Sequence, residues 1–156
     1  MFERKYEIFI NKKLFLRRML IAQTKQVQDF CKKSKLKFNT EKEFFTANRQ
    51  NAESKHKKNL LIKINQEKDY MKQKKTEIDE VFCKFAKEKE KNVFIDLNSF
   101  LENKNLVLSL QKLMQDMKLL KKYKLQYEFV YFCKKIEEII SDKDIAALKR
   151  VLELKN

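Results

Sequence analysis

Residues 92–105 read NVFIDLNSFLENKN, and this stretch breaks the charge pattern of the chain with a cluster of asparagines. Asparagine favours turns and helix ends, so the stretch predicts a point where the chain reverses direction. We therefore predict a boundary here. Residues 1–92 would form a basic helical arm, and residues 93–156 would form a helical hairpin or a small bundle.

The chain contains neither glycine nor proline, although average usage would give roughly 11 and about 8 in 156 residues. Without proline no helix is interrupted from within, and without glycine tight hairpin turns are poorly provided for. The composition therefore predicts an all-α fold, with long basic amphipathic helices in an extended N-terminal half and a C-terminal helical hairpin or small bundle. Asn, Ser, Thr and Asp would cap the helices, with Asn also at left-handed C-terminal positions. The lack of glycine also excludes the P-loop and the dinucleotide-binding fingerprint.

Periodic apolar residues predict helices before the boundary. Residues 8–28 contain no acid, and their basic and apolar side chains interleave as in a basic amphipathic helix. The sequence TEKE at residues 40–43 matches a capping box, so another helix should begin there. A sparse apolar stripe from Leu60 to Phe85 then predicts a long, thinly packed helix with weak coiled-coil character.

A denser apolar stripe follows the boundary. It runs from Leu106 to Tyr131 and predicts one long helix that is buried on one side. Ser141, with Asp144 three residues later, is typical of the start of a further helix. These two helices would make the C-terminal hairpin.

Charge is unevenly distributed along the chain. Residues 1–75 hold 21 Lys and Arg against 8 Asp and Glu, a net +13, whereas residues 76–156 hold 16 against 14, a net +2. Such asymmetry indicates that the N-terminal half binds a polyanion. The residues predicted to contact nucleic-acid phosphates are Lys12, Lys13, Arg17, Arg18, Lys25, Lys32, Lys33, Lys35, Lys37, Lys55, Lys57 and Lys58.

Every cysteine lies between a phenylalanine and a lysine, as in Phe30-Cys31-Lys32. The residues around the three copies differ, so we expect buried small hydrophobes and not a structural repeat. A reactive thiol at Cys31, beside lysines that would lower its pKa, is the alternative. The single histidine, His56, has no second histidine or Cys-x-x-Cys motif near it, and we predict no metal and no cofactor.

The cysteines and the hydropathy of the chain also bear on its location. An odd number of widely spaced cysteines does not suit a secreted disulfide framework. We expect an intracellular, reducing compartment, either cytoplasmic or organellar.

No apolar run approaches the roughly 18 residues of a membrane span, so no transmembrane segment is predicted. Glu3 and Glu7 depart from the acid-poor pattern of a cleaved targeting presequence.

These features together predict a basic protein that is not an enzyme. We expect an RNA-binding structural subunit or bound factor of a large ribonucleoprotein such as a ribosome. Its partners would be RNA, recognised by shape and phosphate and not by sequence, and neighbouring proteins of the assembly. The alternative is an α-helical scaffold subunit that docks on acidic proteins in a cytoskeletal or respiratory complex. A third hypothesis is that residues 8–28 bind anionic membrane surfaces.

Overall fold

The computed structural model describes residues 18–40, 42–64 and 78–154, which form strands and helices in alternation. The strands are β1 (Arg18–Ala22), β2 (Phe45–Thr46), β3 (Asn59–Ile62), β4 (Asn92–Asp96) and β5 (Tyr127–Cys133). The helices are α1 (Lys25–Lys33), α2 (Arg49–Glu53), α3 (Glu80–Glu88), α4 (Leu97–Leu101), α5 (Leu106–Lys122) and α6 (Asp142–Leu154), with a 3₁₀ turn at Ile136–Glu138.

The described residues form a five-stranded sheet in the order β1-β5-β4-β3-β2. The pairs β2–β3, β3–β4 and β4–β5 are parallel, so consecutive strands lie side by side and helices connect them. The fold is therefore α/β, and the prediction of an all-α fold is wrong. The strands β3 and β4 are buried almost throughout, and such strands read as continuous apolar runs without the alternation of a half-exposed strand.

The individual helix predictions before the boundary are correct only in part. In the predicted helix 8–28, residues 18–22 are a strand, residues 25–28 are the start of helix α1, and residues 8–17 lie outside the described residues. No helix begins at the capping-box sequence of residues 40–43, of which residues 40, 42 and 43 are described. The stripe from Leu60 to Phe85 divides into β3 and α3, with residues 65–77 between them outside the described part. The predicted coiled-coil character is wrong for the part of this stripe that the structure describes.

The predicted C-terminal hairpin is also wrong. The helix that begins at Leu106 ends at Lys122, and the apolar stripe continues as strand β5. Aromatic and β-branched residues in β5, YEFVYFC, favour a strand over a further helical turn. The capping prediction at Ser141 is confirmed, because its hydroxyl oxygen accepts the backbone N–H of Asp144 at 3.1 Å.

The chain divides into two compact units. Unit 1 comprises Met1–Glu41 and Tyr131–Asn156, and unit 2 comprises Lys42–Val130. Strand β5 contributes to both, since its first four residues belong to unit 2 and the last three to unit 1. The predicted boundary between residues 92 and 93 falls inside strand β4.

Each unit has its own apolar core. In unit 2, Leu60, Ile62 and Ile95 of the sheet have no exposed surface, and neither do Phe82 of α3 and Leu113 of α5. In unit 1, the fully buried residues are Ala22, Val27, Cys31, Cys133 and Leu152. Each large buried side chain contributes roughly 1.5–3 kcal/mol through the apolar area it removes from water.

Left-handed residues end three of the helices without glycine. Lys35, Glu90 and Lys124 have φ angles of 55°, 50° and 55°, and each follows the C-cap of α1, α3 or α5. In every case the next N–H donates to a carbonyl five residues back, as from Leu125 to Leu120 at 2.9 Å. This is the Schellman motif, in which glycine is the usual left-handed residue. The expectation of asparagine at these positions is wrong, because Lys and Glu occupy them.

Candidate nucleic-acid interface

The segments that precede β3, β4 and β5 meet at one edge of the sheet in unit 2. The register pairs Asn59 with Asn92 and Val93 with Tyr127, so the strands begin level with one another. We name residues 54–59, 89–92 and 124–126 the amino edge. Backbone and amide hydrogen bonds hold its first two segments together, from Asn92 N to Lys58 O at 2.9 Å and from Asn92 Nδ2 to Asn59 Oδ1 at 3.0 Å.

A buried lysine stabilises the amino edge through hydrogen bonds to its backbone. Lys91 is only 7% exposed, and its Nζ donates to the carbonyl oxygen of Lys57 at 2.8 Å and to that of Ser54. Burial lowers the pKa of Lys91, and the charges of Lys58 and Lys89 lower it further. The charged neighbours that shift this pKa are thus both cationic, which indicates a positive local potential.

The loop that Lys91 holds presents further lysines. Lys57 donates from Nζ to Asn51 Oδ1 at 2.7 Å and lies 5.3 Å from the ring centroid of Phe45. Lys55 and Lys58 are exposed. A cation fixed against an aromatic ring and an amide loses less side-chain entropy when it meets an anion, so the position of the Lys57 charge is partly preorganised.

The structure separates the predicted contact residues into two groups. Lys55, Lys57 and Lys58 lie together on the amino edge in unit 2. The described ones in unit 1 are Arg18 at the start of β1, Lys25, Lys32 and Lys33 on α1, and Lys35 and Lys37 after it. Lys12, Lys13 and Arg17 lie outside the described residues.

Sequence reasoning missed Lys89 and Lys91. They belong to the run KEKEK at residues 87–91, whose mixed charge resembles an ordinary solvated helix end. Their role follows only from the parallel pairing of β3 with β4, which brings this turn beside the loop before β3. The signal in the sequence is that the apolar run VFI follows directly, as a buried strand would.

The opposite edge of the same sheet differs in its charges. We name Arg49, Lys63, Asp79 and Asp96 the carboxyl edge, where Asp96 is the last residue of β4 and the other three follow β2 or β3. Arg49 Nε donates to Asp79 Oδ2 at 2.6 Å, and Asp79 Oδ1 also caps α3 by accepting the N–H of Phe82 at 2.9 Å. Opposite charges therefore compensate each other here.

Asp96 is the buried carboxylate of the carboxyl edge. It is 6% exposed, and its Oδ1 accepts the N–H of Asn98 at 2.9 Å as the N-cap of α4. Burial raises the pKa of Asp96, while the N–H groups of Asn98 and Ser99 and the charge of Lys63 oppose that rise. Its hydrogen bonds serve the start of a helix, so a structural role accounts for it.

The three cysteines are free and buried. Burial raises the pKa of Cys83 and of Cys133 to about 12, with smaller contributions from nearby acids, and it also raises the pKa of Cys31. A thiol with a raised pKa supplies little thiolate near neutral pH, which disfavours a reactive cysteine.

Among the described residues, no three His, Cys, Asp or Glu side chains are grouped so that they could hold a metal ion. In the same part of the chain, no helix is long and apolar enough to cross a membrane.

Comparison with solved structures identifies a similar fold. A chain in the cryo-EM structure of archaeal ribonuclease P with mature tRNA matches with a TM-score of 0.57. The match covers 94% of this chain and 78% of that chain, at 16% sequence identity. At this identity the likeness shows the fold alone. No family model matches the sequence, and no curated protein matches it.

Proposed function

We propose that this chain is a non-enzymatic, RNA-binding protein subunit of a ribonucleoprotein. The observation that carries the proposal is the amino edge, where Lys91 holds a loop whose lysines form no ion pair with a carboxylate of the described residues, in contrast to Arg49 at the carboxyl edge. The net charge of +15 supports the same conclusion, because a cationic surface gains free energy when it releases the counterions condensed on RNA.

The fold likeness favours one kind of ribonucleoprotein. The similar chain belongs to archaeal ribonuclease P with mature tRNA. We therefore propose an assembly of the ribonuclease P kind in preference to a ribosome, with RNA and neighbouring proteins as the partners of this chain. Lysine is a point charge without the fork geometry of arginine, so its contacts would report RNA shape and phosphate position and not base sequence.

A non-catalytic role and a reducing, intracellular location belong to the same proposal. The raised thiol pKa values of Cys83 and Cys133 argue against nucleophilic cysteines. Asp79 and Asp96 are engaged as helix caps, which argues against their use as a free acid and base. Free, buried thiols fit a compartment that keeps cysteine reduced.

The test compares charge reversal at the amino edge with the same reversal elsewhere in unit 2. Lys55→Glu with Lys58→Glu changes the amino edge, whereas Lys63→Glu with Lys104→Glu changes two other exposed lysines by an equal charge. Binding of the full chain to a folded tRNA is measured by fluorescence anisotropy between 50 and 300 mM salt, roughly the range over which counterion release is read. We expect the amino-edge variant to flatten the slope of log K against log salt by about 1.8, because two phosphate contacts are lost.

The control variant should keep most of the slope. Equal weakening by both variants would show that only net charge matters, and the proposal would fail. Binding that ignores salt would also contradict it, and an acidic protein surface would then be the better ligand for these lysines. Cleavage of the tRNA by the purified chain alone would overturn the non-enzymatic part.

A further inference from the structure

Unit 1 contains a cavity of about 250 Å³, and none of the residues that line it belongs to the amino edge. It is lined by Leu20, Lys35, Leu36, Lys37 and Tyr131. Leu20 of β1 and Tyr131 of β5 are 4% and 2% exposed, so they form the floor. Leu36 is half-buried, and Lys35 and Lys37 are exposed, which places their charges at the rim.

Backbone hydrogen bonds hold the rim beside the floor. Leu36 N donates to Cys31 O at 2.9 Å in the Schellman turn, where Lys35 has its left-handed conformation. Asn39 N then donates to Leu20 O at 2.8 Å, and Ile21 pairs in parallel with Asn39. Both ends of the segment 35–39 are thereby fixed, so the two lysines are presented by an ordered backbone.

The cavity combines an apolar and aromatic floor with a cationic rim. Among the described residues, no Asp or Glu lines it. Its volume is slightly below the roughly 300 Å³ at which pockets for drug-sized molecules begin, so it suits one ring system with charged groups left outside. A nucleotide has this chemistry, since the flat faces of its base stack on apolar and aromatic side chains and its phosphate is an anion.

We propose that this cavity takes one nucleotide of single-stranded RNA, with the base or ribose over Leu20, Leu36 and Tyr131 and the flanking phosphates on Lys35 and Lys37. The inference rests on the proposed function, because it names single-stranded RNA as a ligand class of the same protein. It uses residues of unit 1, whereas the amino edge belongs to unit 2. Single-stranded segments are the RNA elements whose unstacked bases a protein pocket can take.

The experiment separates the cavity from its charges. Leu36→Trp fills the cavity and leaves both rim lysines in place. Lys35→Gln with Lys37→Gln removes the rim charges, and Lys134→Gln with Lys143→Gln is the matched control on two other exposed lysines of unit 1. The probes are a single-stranded hexauridylate, a duplex hairpin and uridine 5′-monophosphate, each titrated into the full chain, with thermal melting to check folding.

We expect Leu36→Trp and the rim pair each to weaken hexauridylate binding roughly tenfold, in keeping with the loss of one base contact. The control pair should weaken it by less than about twofold beyond its effect on the hairpin. Hairpin binding should be unchanged by Leu36→Trp. Equal effects of the rim and control pairs would overturn the proposal, as would unchanged hexauridylate binding by both cavity variants. Binding of uridine monophosphate without binding of hexauridylate would overturn the assignment to an RNA chain.

Failure here can be told apart from failure of the proposed function. If Lys55→Glu with Lys58→Glu flattens the salt slope of tRNA binding more than its control does while the cavity variants leave hexauridylate binding intact, only the cavity proposal fails. If the amino-edge pair and its control weaken tRNA binding equally, the proposed function fails whatever the cavity does.

Discussion

The amino edge and the carboxyl edge border the same sheet in unit 2, but they differ in how far their charges are paired with opposite charges. At the carboxyl edge Arg49 is paired with Asp79, and Asp96 lies within the influence of Lys63. At the amino edge the buried Lys91 donates to backbone carbonyls, and the charges that shift its pKa are those of Lys58 and Lys89. The charges named at the carboxyl edge thus compensate one another, while the amino edge holds six lysines against one acid, Glu90, and keeps a net positive charge.

This contrast reverses the usual arrangement of parallel α/β sheets. Ligands in such folds commonly bind outside the carboxyl ends of the strands. Here the carboxylates at that edge are used as helix caps, by Asp79 for α3 and by Asp96 for α4. The site that we propose at the amino edge therefore rests on the charges found there and not on the usual position of ligands in this class of fold.

The largest expected effect comes from Lys91→Met, which keeps the length of the side chain but removes its hydrogen bonds. The carbonyls of Ser54 and Lys57 lose their donor, so we expect a loss of about 2 kcal/mol in the free energy of unfolding. tRNA affinity should fall as well, because the loop before β3 is no longer held. Urea denaturation and binding titrations measure the two effects. Lys91→Arg should recover part of both.

The matched control for Lys91→Met is Lys63→Met at the carboxyl edge. Lys63 is exposed, and we expect its loss to change stability by less than about 0.5 kcal/mol. Similar results for the two variants would remove the distinction between the edges.

A smaller effect is expected from Asp96→Asn, which keeps a cap oxygen and removes a buried charge. Because burial raises the folded-state pKa of Asp96 above its unfolded value of about 3.9, the folded state binds more protons between these two pKa values. Stability therefore falls as pH rises through that window. The variant should lack this decrease and gain up to about 1 kcal/mol at pH 7. Urea denaturation of the parent and the variant at pH 4 and pH 7 checks the lost pH dependence and the gain in stability. An equal pH dependence in the parent and the variant would contradict the prediction.

The smallest effect is expected from Arg49→Gln. Its side chain and that of Asp79 are 66% and 41% exposed, so solvent screens the ion pair and its contribution to stability should be small. Burial, the largest single influence, raises the pKa of Asp79, but hydrogen bonds from Arg49 and from the N–H of Phe82 outweigh it and the pKa is lowered. This contribution is present above the unfolded pKa and is lost as pH falls through the lowered folded one.

Two measurements check the Arg49→Gln prediction. The decrease in stability on acidification should be smaller in the variant, and tRNA affinity should stay within about twofold of the parent, because the carboxyl edge is not expected to meet RNA. A large loss of tRNA affinity would show that both edges contact the ligand.

Local features of the fold were predictable from the sequence, but its class was not. Ser141 caps α6 as its neighbours predict, because a cap depends on residues within one helical turn. The absence of glycine misled the fold prediction, because it argues only against the tight hairpin turns of antiparallel strands. The pairs β2–β3, β3–β4 and β4–β5 are parallel and are connected through helices, so this sheet needs no such turn.

The candidate site was predictable only in part, for a similar reason. A run of lysines at residues 55–58 stands out in the sequence, so its exposed members could be named. Lys91 could not, since its environment depends on the pairing of β3 with β4, whose residues are far apart in the chain. The cavity in unit 1 likewise needs Leu20 and Tyr131 on different strands.

The discontinuity of unit 1 has a consequence for synthesis of the protein. Unit 2 is one continuous segment, but in unit 1 Thr24 donates a hydrogen bond to Lys134, 110 positions later. At about 5–20 residues per second, a ribosome makes that interval in roughly 5 to 20 s. During this time the apolar residues Val27 and Cys31 have no core to enter, although much of unit 2 has already emerged. The segment around Val27 and Cys31 therefore waits as exposed apolar surface until residues near Lys134 have been made, and transiently exposed surface of this kind promotes aggregation.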